Sequence, residues 1–220
     1  MNRMTVAAKV ISVIIGYVFG CFITADIVSK RYGAGDPANI GSGNPGMANI
    51  MTNLGFKAGI LVLAGDLGKT VLACSISYFI FHDYGSIIRL YAGLGTILGH
   101  DFPFTRKFKG GKGVSSTCMT LAMYDFIPGF LCDIAGMVVV MITGWLPLGA
   151  VVIPAAFLIP AYVIGGKEAL ILALAIMTVM ITRHYRGIGR VINGKEKKIM
   201  DIGQIKKLCS RYLGHGRSDM

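Results

Sequence analysis

Three short clusters, rich in glycine and in basic or polar residues, stand at the ends of apolar stretches in this chain. The first is Gly41-Ser42-Gly43-Asn44-Pro45-Gly46. The second runs from His100 to Lys109-Gly110-Gly111-Lys112-Gly113-Val114-Ser115-Ser116, and the third is Arg183-His184 leading to Arg190. The second has the makings of an anion cradle. Its glycines expose backbone N–H groups, Lys109 and Lys112 bring charge, and a helix opening near Val114 would direct its positive end at the ligand. Ser115 and Ser116 add hydroxyls in the first turn. The spacing is not that of a nucleotide P-loop, which requires Gly-x-x-x-x-Gly-Lys-Ser/Thr: Arg106 stands five before Gly111, and Gly113 follows Lys112. Taken alone, the run is also compatible with a plain basic turn at a helix start.

Ser42 offers a hydroxyl to an oxyanion, with Asn44 and Asn49 as amide donors, although glycine, asparagine and proline are equally the residues of an ordinary turn. The Gly-x-Ser-x-Gly spacing of a hydrolase nucleophile elbow is absent. His184, beside Arg183 and followed by Arg186 and Arg190, is either a general base at neutral pH or an interfacial side chain with its polar tip in water. His100 presents the same choice. Asp66 and Lys69, three residues apart inside an apolar run, are costly unless paired or facing a cavity, so they are either structural or line the site.

The elements that must position these groups are membrane helices. Of 220 residues, 54% are hydrophobic and only 15% charged, which departs from soluble domains toward the membrane class. Apolar cores run from Val6 to Thr24, Leu54 to Phe81, Ile87 to Leu98, Val114 to Met123, Phe126 to Thr143, Leu146 to Ile164 and Glu168 to Ile181. A bilayer span needs roughly 20 apolar residues, so the third and fourth are short. The expected fold is an all-α integral membrane protein of about seven transmembrane helices, a single polytopic domain over residues 1–220 with a basic tail from about residue 183.

Charge orients it. Lys30, Arg31, Lys57, Arg106, Lys107, Lys109 and Lys112 fall on one side, with a tail after Ile181 that holds ten Lys or Arg against three acids. By the positive-inside rule this side is cytoplasmic and the N-terminus lies outside. All three clusters then sit in cytoplasmic loops. The formal charge of +11 is read as contact with anionic lipid rather than nucleic acid. No signal cleavage pattern follows the first apolar run, which is therefore read as a span. Cys21, Cys74, Cys118, Cys132 and Cys209 lack ligand or pairing spacing, so neither metal nor disulfide is expected.

Gly16 with Gly20, Gly55 with Gly59 and Gly95 with Gly99 are spaced for close helix packing. Gly33 to Asn53, twenty-one residues with two prolines, reads as a long ordered loop, and such loops are usually functional. Phe102 to Gly113 has the same character, and Phe102-Pro103-Phe104 supplies an interfacial aromatic anchor.

In this order, the clusters resemble the motifs of the integral-membrane acyl-phosphate:glycerol-3-phosphate acyltransferases, the PlsY family of bacterial phospholipid synthesis. Ser42-Gly43-Asn44-Pro45-Gly46-Met47-Ala48-Asn49 is similar to that family's Ser-Gly-Asn-x-Gly-Ala-Thr-Asn. His100-Asp101-Phe102-Pro103 and Phe108-Lys109-Gly110-Gly111-Lys112-Gly113-Val114-Ser115-Ser116 are similar to its His-x-Phe-Pro and Phe-x-Gly-Gly-Lys-Gly-Val-Ala-Thr. Arg183-His184-Tyr185-Arg186-Gly187-Ile188-Gly189-Arg190 with Gly194-Lys195-Glu196 is similar to its Arg-His-x-x-Asn-Ile-x-Arg and Gly-x-Glu. Gly187 stands where the family has Asn, and Thr52 where an Arg usually follows the first motif.

The resemblance implies acyl transfer from an acyl phosphate to the sn-1 hydroxyl of glycerol 3-phosphate, without a cofactor, by a monomer in the bacterial inner membrane. It implies Ser42, Lys112 and His184 as catalytic residues. Substrate binding would fall to Gly41, Gly43, Asn44, Asn49, His100, Lys109, Gly110, Gly111, Gly113, Ser116, Arg183 and Arg190. Two other readings share these residues: a catalytically weakened paralogue, for which Gly187 is the argument, and a transporter or binder of a phosphorylated metabolite. Against transport, the chain shows no inverted repeat, and its broken segments lie at helix ends.

Overall fold

The computed structural model describes residues 3–198, and every regular element among them is helical. The α-helices are α1 (Arg3–Gly20), α2 (Thr24–Arg31), α3 (Met47–Leu54), α4 (Phe56–Ile80), α5 (Ile87–Asp101), α6 (Val114–Tyr124), α7 (Phe126–Thr143), α8 (Leu146–Ala156) and α9 (Leu158–Ile192). Four of the seven apolar cores read from the sequence are helical throughout; the first is broken at Cys21 to Ile23, the second at Gly55 and the sixth at Phe157. The basic tail is described only to Lys198; the remainder, Cys209 included, lies outside the described residues.

Four stretches are long and apolar enough to cross a membrane: Met4–Arg31, Phe56–Ile80, Phe126–Thr143 and Leu158–Ile192. Others are interrupted. α6 rises only about 16 Å, and α8 stops at Phe157, where Pro160 has no N–H for the carbonyl four residues back. α9 is itself broken at Gly166, whose φ of 64° and ψ of −153° are not helical.

Two cores organise the bundle. The larger joins α5, α6, α8 and α9 through Leu90, Ile97, Leu121, Phe157, Ile176 and Met180. The smaller, Ile23, Ala25, Val28, Ile50, Ala58 and Val62, clamps α2 and α3 onto α4. The loop expected from Gly33 to Asn53 is thus not a loop throughout. Its last third folds as α3, because Ile50 is fully buried against α2 and α4 while Gly46 supplies the extended residue before the first turn.

The glycine pairs divide the same way. A Cβ at Gly16 would meet Ala92 O at 1.9 Å, at Gly95 Val13 O at 2.2 Å, and at Gly99 Tyr17 O at 2.2 Å. These glycines let α1 and α5 touch backbone to backbone. Gly55 does something else: at φ 93°, with open space where its side chain would be, it is the hinge between α3 and α4, and only Gly59 of that pair packs, against Met51.

α1 ends early. The expected first span reaches Thr24, but the helix stops at Gly20, and Cys21 to Ile23 are non-helical before α2 begins. Such a break inside a membrane helix needs other groups to satisfy its freed carbonyls. Lys69 of α4 supplies them, with Nζ 2.9 Å from Phe22 O and 3.4 Å from Gly20 O.

Gly95→Val is expected to cost about 1–3 kcal/mol by forcing α1 from α5. Gly68→Ala, where a Cβ meets nothing within 4 Å, should be neutral or slightly stabilising. Thermal unfolding of both variants in one detergent checks the contrast.

Candidate active site

The second cluster is a tight return between α5 and α6. Pro103 accepts from Phe108 N–H, and Lys107 and Phe108 adopt left-handed backbone at φ 53° and 61°. The chain then folds back along the end of α5: Gly110 N–H donates to Asp101 O at 3.1 Å and Gly111 N–H to His100 O at 2.9 Å. Those two amides, expected to face an anion, are therefore spent on α5. Gly113 at φ 66° opens α6 and packs against the buried Asp101 carboxylate, 3.0 Å from where its Cβ would be. The amides left free are those of Lys112, Gly113 and the first turn of α6, which lack intrahelical acceptors.

Arg183 closes this return from α9. Its Nε donates to Gly111 O at 3.0 Å and its Nη2 to Gly110 O at 3.1 Å, while the guanidinium lies 5.0 Å from the Phe102 ring. The resemblance implies substrate binding by Arg183; in the structure its Nε and Nη2 hold the glycine turn. Arg190 is paired too, with Nε 2.5 Å from Glu196 Oε2.

Lys112 is the exception. It is half-buried and makes no hydrogen bond or ion pair among the described residues. Burial pulls its ammonium below the ordinary value, Arg190 adds to the pull, Glu196 opposes it and Arg183 adds a little more. A desolvated cation flanked by two arginines is a site short of negative charge. Four residues on, Ser116 is fully buried, and its hydroxyl has no partner among the described residues. His184 is also buried, with Nδ1 2.9 Å from Met180 O. A carbonyl only accepts, so Nδ1 carries the proton and Nε2 keeps its lone pair. Lys109, in contrast, is exposed and stands apart from this group.

In the first cluster Asn49 is a brace. Its Oδ1 accepts from Ser42 N–H at 2.9 Å and its Nδ2 donates to Ile40 O at 2.9 Å, so both ends of the amide are used to shape the turn. Gly41, at φ 51°, sits so close that a Cβ would fall 2.2 Å from Asn53 Nδ2. Gly43, at φ 71°, completes the turn. What remains available is the Ser42 hydroxyl, which accepts only a long 3.4 Å contact from Asn44 N–H, and the Asn44 side-chain amide. No hydrogen bond or ion pair among the described residues joins Ser42 or Asn44 to Lys112 or His184. The two loops are tied one step back by Arg106, to which the motif spacing assigns no role in the site: it pairs with Asp26 of α2 and, at 2.8 Å, with Asp36. That hydrogen bond, helped by Ala38 N–H, holds the Asp36 carboxyl below the usual range. The signal was present as an Arg among glycines, but nothing in the sequence pointed to its two acids.

Gly187 faces α8. A Cβ there would lie 2.6 Å from Pro147 Cγ, so the space that an Asn would require is filled by a ring.

Two braced glycine turns, one of them beside the unpaired Lys112, sit on a bundle with membrane-length helices, the architecture of a multi-pass membrane protein. The glycerol-3-phosphate acyltransferase family model matches residues 10–194. Glycerol-3-phosphate acyltransferase 1 of Lactobacillus johnsonii is 38% identical over 203 residues, 92% of this chain and 98% of that one. Crystal structures of PlsY, an integral membrane glycerol 3-phosphate acyltransferase, superpose in the glycerol 3-phosphate form with a TM-score of 0.79 at 25% identity, covering 90% of this chain and 98% of that one. The lysophosphatidic acid form gives 0.77 at 25% identity, covering 87% and 95%. The chain belongs to the glycerol-3-phosphate acyltransferase family and is an integral, multi-pass membrane protein.

Gly187→Asn, a change toward the family residue, is expected to lower stability by about 1–3 kcal/mol through overpacking on Pro147. Combining it with Pro147→Ala should recover most of the loss. Thermal midpoints of the single and double variants decide this.

Proposed function

We propose that this protein transfers a fatty acyl group from an acyl phosphate to the sn-1 hydroxyl of glycerol 3-phosphate, giving lysophosphatidic acid and inorganic phosphate. Membership of the family supports the activity. The observation that carries the site assignment is Lys112, half-buried between Arg183 and Arg190 with no hydrogen bond or ion pair among the described residues. Both substrates bring phosphate, which is the charge this arrangement lacks.

An acyl phosphate is already activated, so no covalent enzyme intermediate is required; positioning, charge stabilisation and proton removal suffice. Lys112 and the free amides at the start of α6 hold one phosphate, with Ser116 and the unpaired nitrogens of Arg190 at its edge. Ser42 and Asn44 serve the other phosphate or the oxyanion. The sn-1 oxygen attacks the acyl carbon, the bond from that carbon to the bridging phosphate oxygen breaks, and phosphate leaves with the electron pair. His184 Nε2 takes the hydroxyl proton. Arg183 and Asn49 act through the turns they hold rather than by touching substrate.

The membrane arrangement follows from charge. We place seven crossings in the inner membrane, at α1, α4, α5, α6, α7, α8 continued into the first part of α9, and the rest of α9. The N-terminus lies outside, and the loops bearing Ser42 and Lys112 face the cytoplasm with the C-terminal end.

Purified protein given palmitoyl phosphate and glycerol 3-phosphate should release phosphate and lysophosphatidic acid in equal amounts, and neither when palmitoyl-CoA replaces the acyl phosphate. Lys112→Ala and His184→Ala should each lower kcat by at least about 10²-fold while inserting normally. No product from the wild-type protein would leave binding or transport as the reading, and wild-type turnover in either variant would remove that residue from its role.

For topology, Lys109→Cys in a Cys209→Ser background should react with a membrane-impermeant maleimide in inside-out vesicles and not in intact spheroplasts. Labelling in spheroplasts would invert the orientation.

A further inference from the structure

His100 and His184 are both buried, and the structure gives them opposite proton positions. His184 donates from Nδ1 to a carbonyl, which leaves Nε2 an acceptor. His100 is held by a cluster that the acyl-transfer mechanism above does not use. Its Nδ1 lies 2.8 Å from Lys69 Nζ. Lys69 in turn lies 2.9 Å from Phe22 O and 3.0 Å from Asp66 Oδ1.

An ammonium has three protons and no lone pair, and its three nearest neighbours here are a carbonyl, a carboxylate and an imidazole nitrogen. The imidazole nitrogen must accept. A neutral amine would instead leave the Asp66 carboxylate buried without its cation, an arrangement far costlier than the pair. Asp66 is further committed, accepting from Thr24 Oγ1 at 3.4 Å. With Nδ1 accepting, the one proton of a neutral ring sits on Nε2. That nitrogen faces the glycine turn: a Cβ at Gly111 would lie 2.0 Å from it. Asp66 and Lys69 of α4 and Arg183 of α9 are the charged groups around the ring.

We propose that Lys69, fixed by Asp66, is a positioning residue that locks His100 as an Nε2–H donor to an anionic or developing negative oxygen of the substrates beside Gly111. Resting on the acyltransferase reading, this assigns the two histidines complementary work. His100 gives a hydrogen bond that strengthens as charge develops on oxygen, and His184 receives the proton. Gly111 has no side chain because the ring must reach past it.

The test reads the tautomer directly and then the chemistry. Nitrogen-15 spectra of histidine-labelled protein in detergent, with the His100 signals assigned by their loss in His100→Gln, should show the Nε2–H form at about pH 7. His100→Ala should lose about 10²–10³ in kcat, and His100→Gln, which keeps an N–H donor but is no base, should retain at least about tenfold more activity than the alanine variant. In Asp66→Asn with Lys69→Met, which removes both charges together, the ring should populate both tautomers, and kcat should fall with little change in KM for glycerol 3-phosphate.

An Nδ1–H form or an imidazolium in the active wild-type protein overturns the inference and leaves the acyltransferase reading standing, as does a glutamine variant no better than alanine. A double variant that keeps a pure Nε2–H ring and full kcat removes Lys69 from the role. If the double variant does not insert, the wild-type spectrum and the His100 pair still decide. A wild-type protein that makes no lysophosphatidic acid overturns the reading itself and, with it, the donor role.

Discussion

The Lys69 ammonium sits where three parts of the molecule meet inside the bundle, and much of the site depends on its being satisfied there. Below it α1 has come apart, and the carbonyls of Gly20 and Phe22 need a donor. Beside it Asp66 neutralises its charge and accepts from Thr24 at the head of α2. Above it His100 leans on Gly111. In a low-dielectric setting each of these contacts is strong only because the others exist. Removing one member would leave a buried charge uncompensated, which is why the pair is tolerated inside the bundle at all.

From that point outward the site is built by two kinds of residue with similar chemistry and opposite uses. Arg183, Asn49 and Arg106 are polar or charged groups whose hydrogen-bonding capacity goes into the protein: two carbonyls of the glycine turn, both sides of the Ser42 turn, and two acids on separate segments. Lys112, Ser116, Asn44 and the Ser42 hydroxyl are left over. The rigid turns made by the first group keep the second from collapsing onto protein partners. In the proposed mechanism this is the preorganisation that electrostatic catalysis requires, since groups already oriented need no reorganisation when charge develops on the substrate.

Close helix contact carries the same constraint at longer range. α1 and α5 meet through Gly16, Gly20, Gly95 and Gly99 with carbonyls almost in contact with the opposite Cα atoms. That approach brings Lys69 within reach of both the α1 break and His100. At the other end of the bundle, Pro147 fills the space over Gly187, so the departure from the family's asparagine is accompanied by a neighbour that occupies its volume. The two positions form one packing unit.

The sequence by itself determined the chemistry available and the number of apolar segments. Seven hydrophobic cores, three glycine-rich basic clusters and their order followed from residue types and spacing, because hydrophobic length and motif spacing are local quantities. It also determined that α1 and α5 could approach closely, through glycines four apart. Only the tertiary structure decided which groups are free to act. Arg183 braces carbonyls 72 and 73 residues away, and Lys69 sets the proton position on a histidine 31 residues away. The α3 helix inside an expected loop, the hinge at Gly55 and the spent amides of Gly110 and Gly111 belong to the same class. Whether a polar atom is satisfied depends on partners brought close by folding, and no local pattern in the chain records them.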